Sequence, residues 1–257
     1  MKLAASDYDG TLFRHNKVTE EDLRAIRLWR EAGNLFGLAT GRDLNLSLVE
    51  IESRNIEFDF IICNTGASIY SREESGGLTT LQLLELPGRA AREVLRHPVA
   101  GESNYWVLCQ GPKSWIVNRA SDSWLTGLGL PLTPITKEEG ERLTGLQQIS
   151  LEYNTPEEAA RAVELLSQDF GSDMTVHLSG FCVDLTAKGT NKAEGILALL
   201  KITGWPVDDI LVIGDTENDL SMIRRFGGYV VPSARDDIKQ AARGVYESPG
   251  HMMLDNM

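Results

Sequence analysis

The sequence has few cysteines, no excess of basic residues and no long hydrophobic segment. It contains 25 lysines and arginines against 37 aspartates and glutamates, which gives a formal net charge of −12. Non-specific binding to nucleic acids or anionic membranes relies on basic patches, so we expect neither as a partner. No apolar run approaches the roughly 20 residues of a membrane-spanning helix, and the chain does not open with a basic, then apolar, signal pattern. These absences predict a cytoplasmic protein.

Only three cysteines are present, Cys63, Cys109 and Cys182, and they lie far apart, in or beside apolar runs. Their odd number and wide spacing predict buried thiols in a reducing compartment, not disulfides or a zinc site. The four histidines are equally dispersed. We therefore do not expect a metal site built from cysteine or histidine.

Patterns of strands and helices alternate in both terminal parts of the chain of 257 residues. Strands are predicted at 35–39, 58–63, 210–213 and 229–231, and helices at 19–33, 44–51, 192–200 and 218–225. Such alternation is typical of an α/β protein with a doubly wound parallel sheet. These parts, 1–83 and 186–257, are predicted to form one domain.

The stretch between them, 84–185, has a different pattern and is predicted to be an inserted α+β domain. An extended run over 81–86 leads to Pro87, which can begin a helix that continues to about residue 96. Further strands are predicted at 105–109, 115–117 and 149–153, a helix at 159–166, and a hairpin of 174–178 with 181–185. The connections at 81–87 and 185–189 are candidate hinges.

A pair of carboxylates follows the first apolar run, in the segment Asp7-Tyr8-Asp9-Gly10-Thr11. Side chains alternate along an extended chain, so Asp7 and Asp9 are expected to point the same way, while Gly10 permits a sharp turn. Carboxylates of this kind suit Mg²⁺, which is bound by one or two of them together with water and phosphate oxygens. One of the two could also attack phosphorus. An ordinary acidic turn is the structural alternative.

Polar residues also follow the second predicted strand, in Thr40-Gly41-Arg42. Ligands of open α/β sheets bind at the carboxyl ends of the strands. The Thr40 hydroxyl and nearby backbone N–H groups could hold a phosphate oxygen, and Gly41 would allow close approach. Arg42 could reach the same site. Alternatively, the segment is only a helix-capping turn.

Two more polar segments lie late in the chain. Lys192 begins a predicted helix, where its ammonium group could neutralise a phosphate, although an exposed surface lysine is the usual alternative. In Gly214-Asp215-Thr216-Glu217-Asn218-Asp219, Asp215 could supply another carboxylate to the cation. Asn218 and Asp219 would then lie in the first turn of a helix and orient the ligands. A capped helix after a buried strand is the alternative.

These four motifs, in this order, resemble those of the haloacid dehalogenase superfamily of phosphotransferases over nearly the whole chain. The resemblance implies that Asp7 is the nucleophile that becomes an aspartyl phosphate, and that Asp9 is the general acid and base. It implies that Thr40 and Lys192 bind the phosphate and that Asn218 lies near both the lysine and the phosphoryl group.

The resemblance also implies Mg²⁺ as the cofactor. Its protein ligands would be Asp7, the backbone carbonyl of Asp9, and Asp215, with Asp219 in the inner or outer shell. Aspartate at position 9 favours a phosphatase or mutase over a dehalogenase.

The inserted domain resembles the cap of the Cof-type branch, which implies a Mg²⁺-dependent phosphatase for a small phosphomonoester, with a sugar phosphate as the expected substrate. A phosphomutase and a non-enzymatic Mg²⁺- or phosphate-binding module are the alternatives. The expected partner is a small phosphorylated metabolite, and the expected state is a monomer or small homo-oligomer. The natural substrate cannot be derived from the core motifs, because the cap selects the leaving group.

Several residues of the cap are candidates for contacts with the leaving group: Trp106, Trp115, Arg119, Trp124, His177 and Ser179. Most of these tryptophans are expected in the cap core instead, because aromatic side chains usually bury area. One motif departs from the Cof-type pattern, since Asn64-Thr65-Gly66-Ala67 has threonine directly before the glycine. That segment either alters a substrate contact or is simply a hairpin turn into 68–70.

Overall fold

The computed structural model describes residues 1–73, 75–118 and 132–257, and the chain divides into two compact units. The first unit consists of Met1–Thr40, Glu50–Gln82 and Asn191–Met257, and the second of Gly41–Val49 and Leu83–Thr190. Two of the candidates for leaving-group contacts, Arg119 and Trp124, lie outside the described residues. No helix in the described ranges is long and apolar enough to cross a membrane.

The elements are numbered in chain order. The strands are β1 (Lys2–Ser6), β2 (Leu35–Ala39), β3 (Phe60–Cys63), β4 (Ser68–Arg72), β5 (Leu78–Leu83), β6 (Tyr105–Gln110), β7 (Lys113–Asn118), β8 (Leu132–Pro134), β9 (Gln148–Glu152), β10 (Met174–Ser179), β11 (Cys182–Ala187), β12 (Asp209–Gly214), β13 (Tyr229–Val230) and β14 (Gly244–Val245). The helices are α1 (Glu20–Glu31), α2 (Leu44–Ser53), α3 (Gly88–Arg96), α4 (Pro98–Glu102), α5 (Lys137–Gly140), α6 (Pro156–Phe170), α7 (Lys192–Thr203), α8 (Leu220–Phe226), α9 (Asp236–Lys239) and α10 (Pro249–Asp255).

The first unit contains a sheet with the strand order β14-β13-β12-β1-β2-β3-β4-β5. The strands from β14 to β3 are parallel, and β4 pairs antiparallel with β3. Strand β1 is central, between β12 and β2, and its residues 3–6 are buried. The predicted α/β fold with a parallel core sheet is confirmed. The carboxyl ends of β1 and β12 are therefore neighbours.

The first crossover helix, α1, shows how the local sequence sets an element of this unit. The Thr19 side chain accepts a hydrogen bond from the Asp22 N–H at 3.1 Å and caps the helix. Leu23, Ile26 and Trp29 recur at helical spacing and are buried. The capping residue and the apolar face are those predicted from the sequence.

The second unit contains a sheet with the order β10-β11-β9-β6-β7-β8, in which β7 and β8 are parallel and the other assigned pairs are antiparallel. Helices α3, α4 and α6 contribute to a core that also takes residues of β6, β9 and β11. Trp106 is fully buried in this core and Trp115 packs against it, so both serve packing. The predicted hairpin is present, with Ser179 opposite Cys182.

Some predicted elements are wrong in extent. The strand predicted over 81–86 ends at Leu83, and the N–H of Leu86 donates to the carbonyl of Leu146 at 2.7 Å instead of continuing the sheet. The helix predicted from residue 218 begins at Leu220, because a 3₁₀ turn over Glu217–Asp219 precedes it. Cys63 and Cys109 are buried as predicted, whereas Cys182 is half-buried.

Candidate active site

Asp7, Lys192 and Asp219 form a buried charged group in the first unit. Asp7 directly follows β1, and its N–H donates to the carbonyl of Ile213 in β12 at 2.9 Å. Asp7 is 5% exposed, and Lys192 and Asp219 are both fully buried. Charged side chains are almost never buried to this extent unless they are paired. The core of the unit thus holds three charges at the end of its central strand.

Lys192 lies between the two carboxylates. Its Nζ donates to Oδ1 of Asp7 at 2.5 Å and to Oδ1 of Asp219 at 2.6 Å. Burial alone would lower the pKa of Lys192, but the attraction of Asp219 and Asp7 outweighs it and raises that pKa. The ammonium group is therefore charged at every physiological pH. The alternative of an exposed surface lysine is wrong.

Asp219 uses both of its carboxylate oxygens within the protein. While Oδ1 accepts from Lys192, Oδ2 accepts from the backbone N–H groups of Asp215 and Thr216, each at 3.0 Å. Next to it, the Thr216 hydroxyl donates to Oδ1 of Asn218 at 2.7 Å. Asp219 thereby fixes both the loop after β12 and the position of the lysine.

Three carboxylates, those of Asp7, Asp215 and Asp219, have oxygens within 4.8 Å of one another. Burial raises the pKa of Asp7 well above its ordinary value, although Lys192 opposes that shift. Burial also raises the pKa of Asp215 to about 6, against the hydrogen bond from Thr11. These are groups for which the ionised form is costly unless a cation lies nearby.

This group fits a hard divalent cation. When all three carboxylates are ionised, Lys192 neutralises only one of their charges. Lys192 engages Oδ1 of Asp7, the Thr11 hydroxyl donates to Oδ1 of Asp215 at 2.7 Å, and the carboxyl groups of Asp7 and Asp215 are in hydrogen-bond contact with each other, a contact that a cation between them would replace. Mg²⁺ is commonly held by one or two carboxylates in this way. Asp219 accepts from Lys192 at Oδ1 and from two loop N–H groups at Oδ2, and its direct ligation of a metal stays a prediction.

Asp9 lies apart from this carboxylate group. The prediction that Asp7 and Asp9 share a direction assumed a continuous strand, but β1 ends at Ser6 and the chain turns. Asp9 is exposed, and it is not one of the three clustered carboxylates. Gly10 has φ +82°, and a Cβ there would lie 2.3 Å from Oδ2 of Asp215, so only glycine fits the turn.

Thr40 is buried at the end of β2, where its N–H donates to the carbonyl of Ile62 at 2.8 Å. Its own carbonyl accepts from the N–H of Thr65 at 3.1 Å. Gly41 and Arg42 are half-buried and belong to the second unit. Their contact with a phosphate stays a prediction.

The segment 64–66 connects β3 to β4 as a hairpin, which is one of the two interpretations the sequence left open. Asn64 and Thr65 both have φ +52°, and Gly66 has φ +99°. A Cβ on Gly66 would lie 2.3 Å from the carbonyl oxygen of Asn191, the residue directly before Lys192. A β-branched residue at positive φ is a true outlier, so Thr65 is strained beside the helix that carries the lysine.

Sequence reasoning missed two residues that support the site, Thr11 and Arg14. Besides the bond from Thr11 to Asp215, Nη1 of Arg14 donates to the Thr11 carbonyl at 3.1 Å and Nη2 pairs with Oδ2 of the buried Asp22 at 2.8 Å. Asp22 in turn accepts from the N–H of Gly250 at 3.0 Å. The only available signal was the threonine in the first motif, because Arg14 and Asp22 lie eight residues apart and belong to none of the four motifs.

Comparison with known proteins agrees with this geometry. The family model for haloacid dehalogenase-like hydrolases matches residues 4–250. Among curated proteins, 5-amino-6-(5-phospho-D-ribitylamino)uracil phosphatase YcsE of Bacillus subtilis is 24% identical over 249 residues, 94% of this chain and 88% of that protein. The HMP-PP phosphatase of Klebsiella pneumoniae is 24% identical over 245 residues, 93% of this chain and 86% of that protein.

The fold also has close counterparts among solved structures. A haloacid dehalogenase-like hydrolase from B. subtilis superimposes with a TM-score of 0.82 at 21% identity, and the match covers 100% of both chains. At this level of identity the likeness concerns the fold.

Proposed function

This chain belongs to the family of haloacid dehalogenase-like hydrolases, and on that premise we propose that it is a Mg²⁺-dependent phosphatase that hydrolyses a small phosphomonoester through an aspartyl phosphate. The observation that carries the proposal is the buried group of Asp7, Lys192 and Asp219 beside Asp215. The named phosphatases among its relatives support the same class of reaction.

In the first half of the reaction, the carboxylate oxygen of Asp7 that Lys192 does not hold attacks phosphorus, and the bond from phosphorus to the leaving oxygen breaks. Lys192 holds the other oxygen of Asp7 at 2.5 Å, which orients the nucleophile. Asp9, exposed at the turn, gives its proton to the leaving alcohol. A positioned acid of this kind contributes about 10² to 10⁴ in rate.

In the second half, Asp9 takes a proton from water as the water oxygen attacks phosphorus. The bond between phosphorus and Asp7 breaks, inorganic phosphate leaves, and Asp7 is again a carboxylate. Thr40, Asn218 and Arg42 are proposed to contact the phosphoryl oxygens. Spreading charge in this way, more than covalent chemistry, is what phosphoryl transfer requires.

Mg²⁺ would be held by Asp7 and Asp215, together with the carbonyl of Asp9, and would neutralise charge on the phosphoryl group. Because burial raises the pKa of Asp7, a nearby cation would also keep that carboxylate in the ionised form that a nucleophile needs. Asp219 is assigned to hold Lys192 and the loop that carries Asp215.

A sugar phosphate is the proposed substrate, and residues 84–185 are the proposed cap that selects it, with hinges near 81–87 and 185–189. The three cysteines are free thiols, which supports a reducing compartment such as the cytoplasm. The proposed partner is a small phosphorylated metabolite, and the protein acts as a monomer or small homo-oligomer.

The test is phosphate release from sugar phosphates, nucleotides, pyridoxal phosphate and 4-nitrophenyl phosphate, with Mg²⁺ or with EDTA. Wild-type protein is expected to turn over at least one ester only with Mg²⁺, and Asp7→Asn to abolish turnover. Asp9→Ala is expected to retain phosphate covalently after acid quenching, since the intermediate can form from a good leaving group but breaks down slowly.

The outcomes distinguish the alternatives. Turnover that survives in Asp7→Asn would refute the assigned nucleophile, and turnover in EDTA would refute the metal requirement. A phosphorylated isomer as product, without free phosphate, would make the protein a phosphomutase. Binding of esters without any turnover would make it a binding module.

A further inference from the structure

Arg14 is a half-buried cation of the first unit that the proposed mechanism does not use. Its side chain is 16% exposed, and its Nη2 pairs with Oδ2 of Asp22 at 2.8 Å. An ion pair needs only one nitrogen of a guanidinium group. The other terminal nitrogen, Nη1, donates to the carbonyl of Thr11 at 3.1 Å and to that of Leu12 at 3.4 Å. The side chain therefore connects a buried carboxylate to the backbone at the end of the first motif.

Thr11 is held both at its backbone and at its side chain. It is fully buried, its carbonyl accepts from Arg14, and its hydroxyl donates to Oδ1 of Asp215 at 2.7 Å. The two substituents on Cβ restrict a threonine side chain to few rotamers, so the place of the hydroxyl depends on the place of the backbone. The contact from Arg14 thus helps to fix the donor that orients Asp215.

The other end of this connection, Asp22, is itself firmly held. Asp22 is fully buried, its Oδ2 also accepts from the Thr19 hydroxyl at 2.7 Å, and its Oδ1 accepts from the N–H of Gly250 at 3.0 Å. A Cβ on Gly250 would lie 2.6 Å from that Oδ1, so the start of α10 packs directly on the carboxylate. Asp22 belongs to α1. Two helices of the first unit therefore fix the anchor of Arg14.

The backbone of Arg14 is restrained as well. Its N–H donates to the carbonyl of Lys17, and its carbonyl accepts from the N–H of Lys17, each at 3.1 Å. His15 and Asn16, between them, have φ +51° and +59°. Positive φ at both central residues is typical of a tight two-residue hairpin turn. Arg14 is thus held at its backbone and at its guanidinium group.

We propose that Arg14 is a positioning residue for Asp215 and acts through Thr11. Anchored on Asp22, the guanidinium group holds the Thr11 carbonyl, and the Thr11 hydroxyl in turn orients the carboxylate of Asp215. The proposal rests on the proposed function, in which Asp215 binds Mg²⁺. Side chains that orient metal ligands in this way are worth about 10- to 100-fold in metal affinity.

Calorimetry of Mg²⁺ binding to the metal-free full chain tests the proposal. Arg14→Lys keeps a positive charge for Asp22 but loses the planar fork that reaches two acceptors. We expect it to raise the Kd for Mg²⁺ by about 10-fold. Arg30→Lys is the matched control, because Arg30 pairs with Asp59 at 2.9 Å at the opposite end of α1. The control is expected to bind Mg²⁺ with the wild-type Kd.

A double-mutant cycle tests the route through Thr11. Thr11→Val removes the hydroxyl, keeps the shape of the side chain, and is expected to raise the Kd for Mg²⁺ by about 10- to 100-fold. If Arg14 acts through Thr11, Arg14→Lys has no further effect on the Kd in the Thr11→Val background. Additive effects on the Kd would show that the arginine acts by another route and would overturn the proposal.

Urea unfolding of the same metal-free variants separates positioning from a purely structural role. A lower stability of Arg14→Lys with the Kd of Arg30→Lys would make the ion pair merely structural. Asp22→Asn is the second variant, since it leaves Arg14 and Thr11 in place but removes the charge of the anchor. It is expected to raise the Kd for Mg²⁺ in the same direction. A wild-type Kd in both Arg14→Lys and Asp22→Asn would overturn the proposal.

Mg²⁺ alone is the probe, so the result does not depend on turnover. If no ester is hydrolysed but the differences in Kd hold, the phosphatase proposal fails and the positioning role of Arg14 stands. If phosphate release requires Mg²⁺ and Asp7 while Arg14→Lys binds Mg²⁺ as the wild type does, the positioning role fails and the phosphatase proposal stands.

Discussion

Replacing Lys192 by methionine tests how the charged group at the end of the central strand is held. The ammonium group donates to Asp7 at 2.5 Å and to Asp219 at 2.6 Å, and it is fully buried. Methionine fills a similar volume but leaves two buried carboxylates facing each other without a counter-charge. We expect the free energy of unfolding to fall and phosphatase turnover to disappear.

The expected loss in the free energy of unfolding follows from the burial of Lys192 and its two carboxylate partners. Removing one partner of a buried ion pair destabilises a protein by about 3 to 5 kcal/mol, because the remaining charge is uncompensated. Lys192 serves two carboxylates, so we expect the upper part of this range at pH 8. Protonation of Asp7 would reduce this loss of stability, since without the lysine the pKa of Asp7 rises still further above its unfolded value.

The pH dependence has a definite sign. A carboxyl group whose folded pKa is raised binds its proton more tightly in the folded state, so stability falls as the pH rises through that range. The difference between wild type and Lys192→Met should therefore be largest at pH 8 and should shrink toward pH 5.

The assay is urea unfolding in EDTA, monitored by circular dichroism, at both pH values. Lys201→Met is the control, because Lys201 is exposed on the same helix α7. We expect Lys201→Met to unfold within about 0.5 kcal/mol of wild type, as surface substitutions usually do. If Lys192→Met matches Lys201→Met at pH 8, the buried ion pairs do not stabilise the fold as argued.

Three further predictions concern single residues. Thr65→Asn should raise the free energy of unfolding by about 1 kcal/mol, because asparagine tolerates the left-handed conformation at φ +52°; an unchanged Tm would contradict this. Asp22→Asn should lower the free energy of unfolding by about 3 kcal/mol, because it removes the buried carboxylate that pairs with half-buried Arg14, and a double-mutant cycle with Arg14→Met should show coupling; additive effects would refute it. Burial raises the pKa of Asp184 from 3.8 to about 6, so the free energy of unfolding of wild type should fall by up to about 3 kcal/mol relative to Asp184→Asn as the pH rises from about 4 to about 6. Parallel curves of stability against pH would exclude this.

The sequence predicted the core fold well because its signals are local. Apolar runs followed by polar strand ends define β1, β2 and β12, and a capping threonine with an apolar face defines α1. The weaker predictions lie where tertiary contacts decide. The extended run over 81–86 leaves the sheet after Leu83, and the N–H of Leu86 bonds to the carbonyl of Leu146. The local sequence does not show this long-range bond.

In the candidate site, too, local sequence signals were predictable and long-range contacts were not. Motifs gave the residue types at the strand ends, but the pairing of Lys192 with Asp7 joins residues 185 positions apart and could only come from the fold. Strand alternation does not apply to Asp9, because the strand stops at Ser6, directly before the motif, and Asp9 is exposed outside the three clustered carboxylates. The burial of Asp184, whose Oδ1 has no hydrogen-bond partner among the described residues, was likewise beyond prediction, since a single acidic residue in β11 shows neither its burial nor its partners.

Asp219 illustrates why residue type alone does not decide a role at such a site. Its position four residues after Asp215 is compatible with direct metal ligation or with a place behind the ligands. In the structure Oδ1 holds Lys192 and Oδ2 holds two N–H groups of the loop, so any metal bound by Asp219 would share an oxygen that already accepts a hydrogen bond. A carboxylate so engaged keeps the lysine charged and the Asp215 loop in place. Asp219 therefore orders Lys192 and the Asp215 loop whether or not it also contacts a metal.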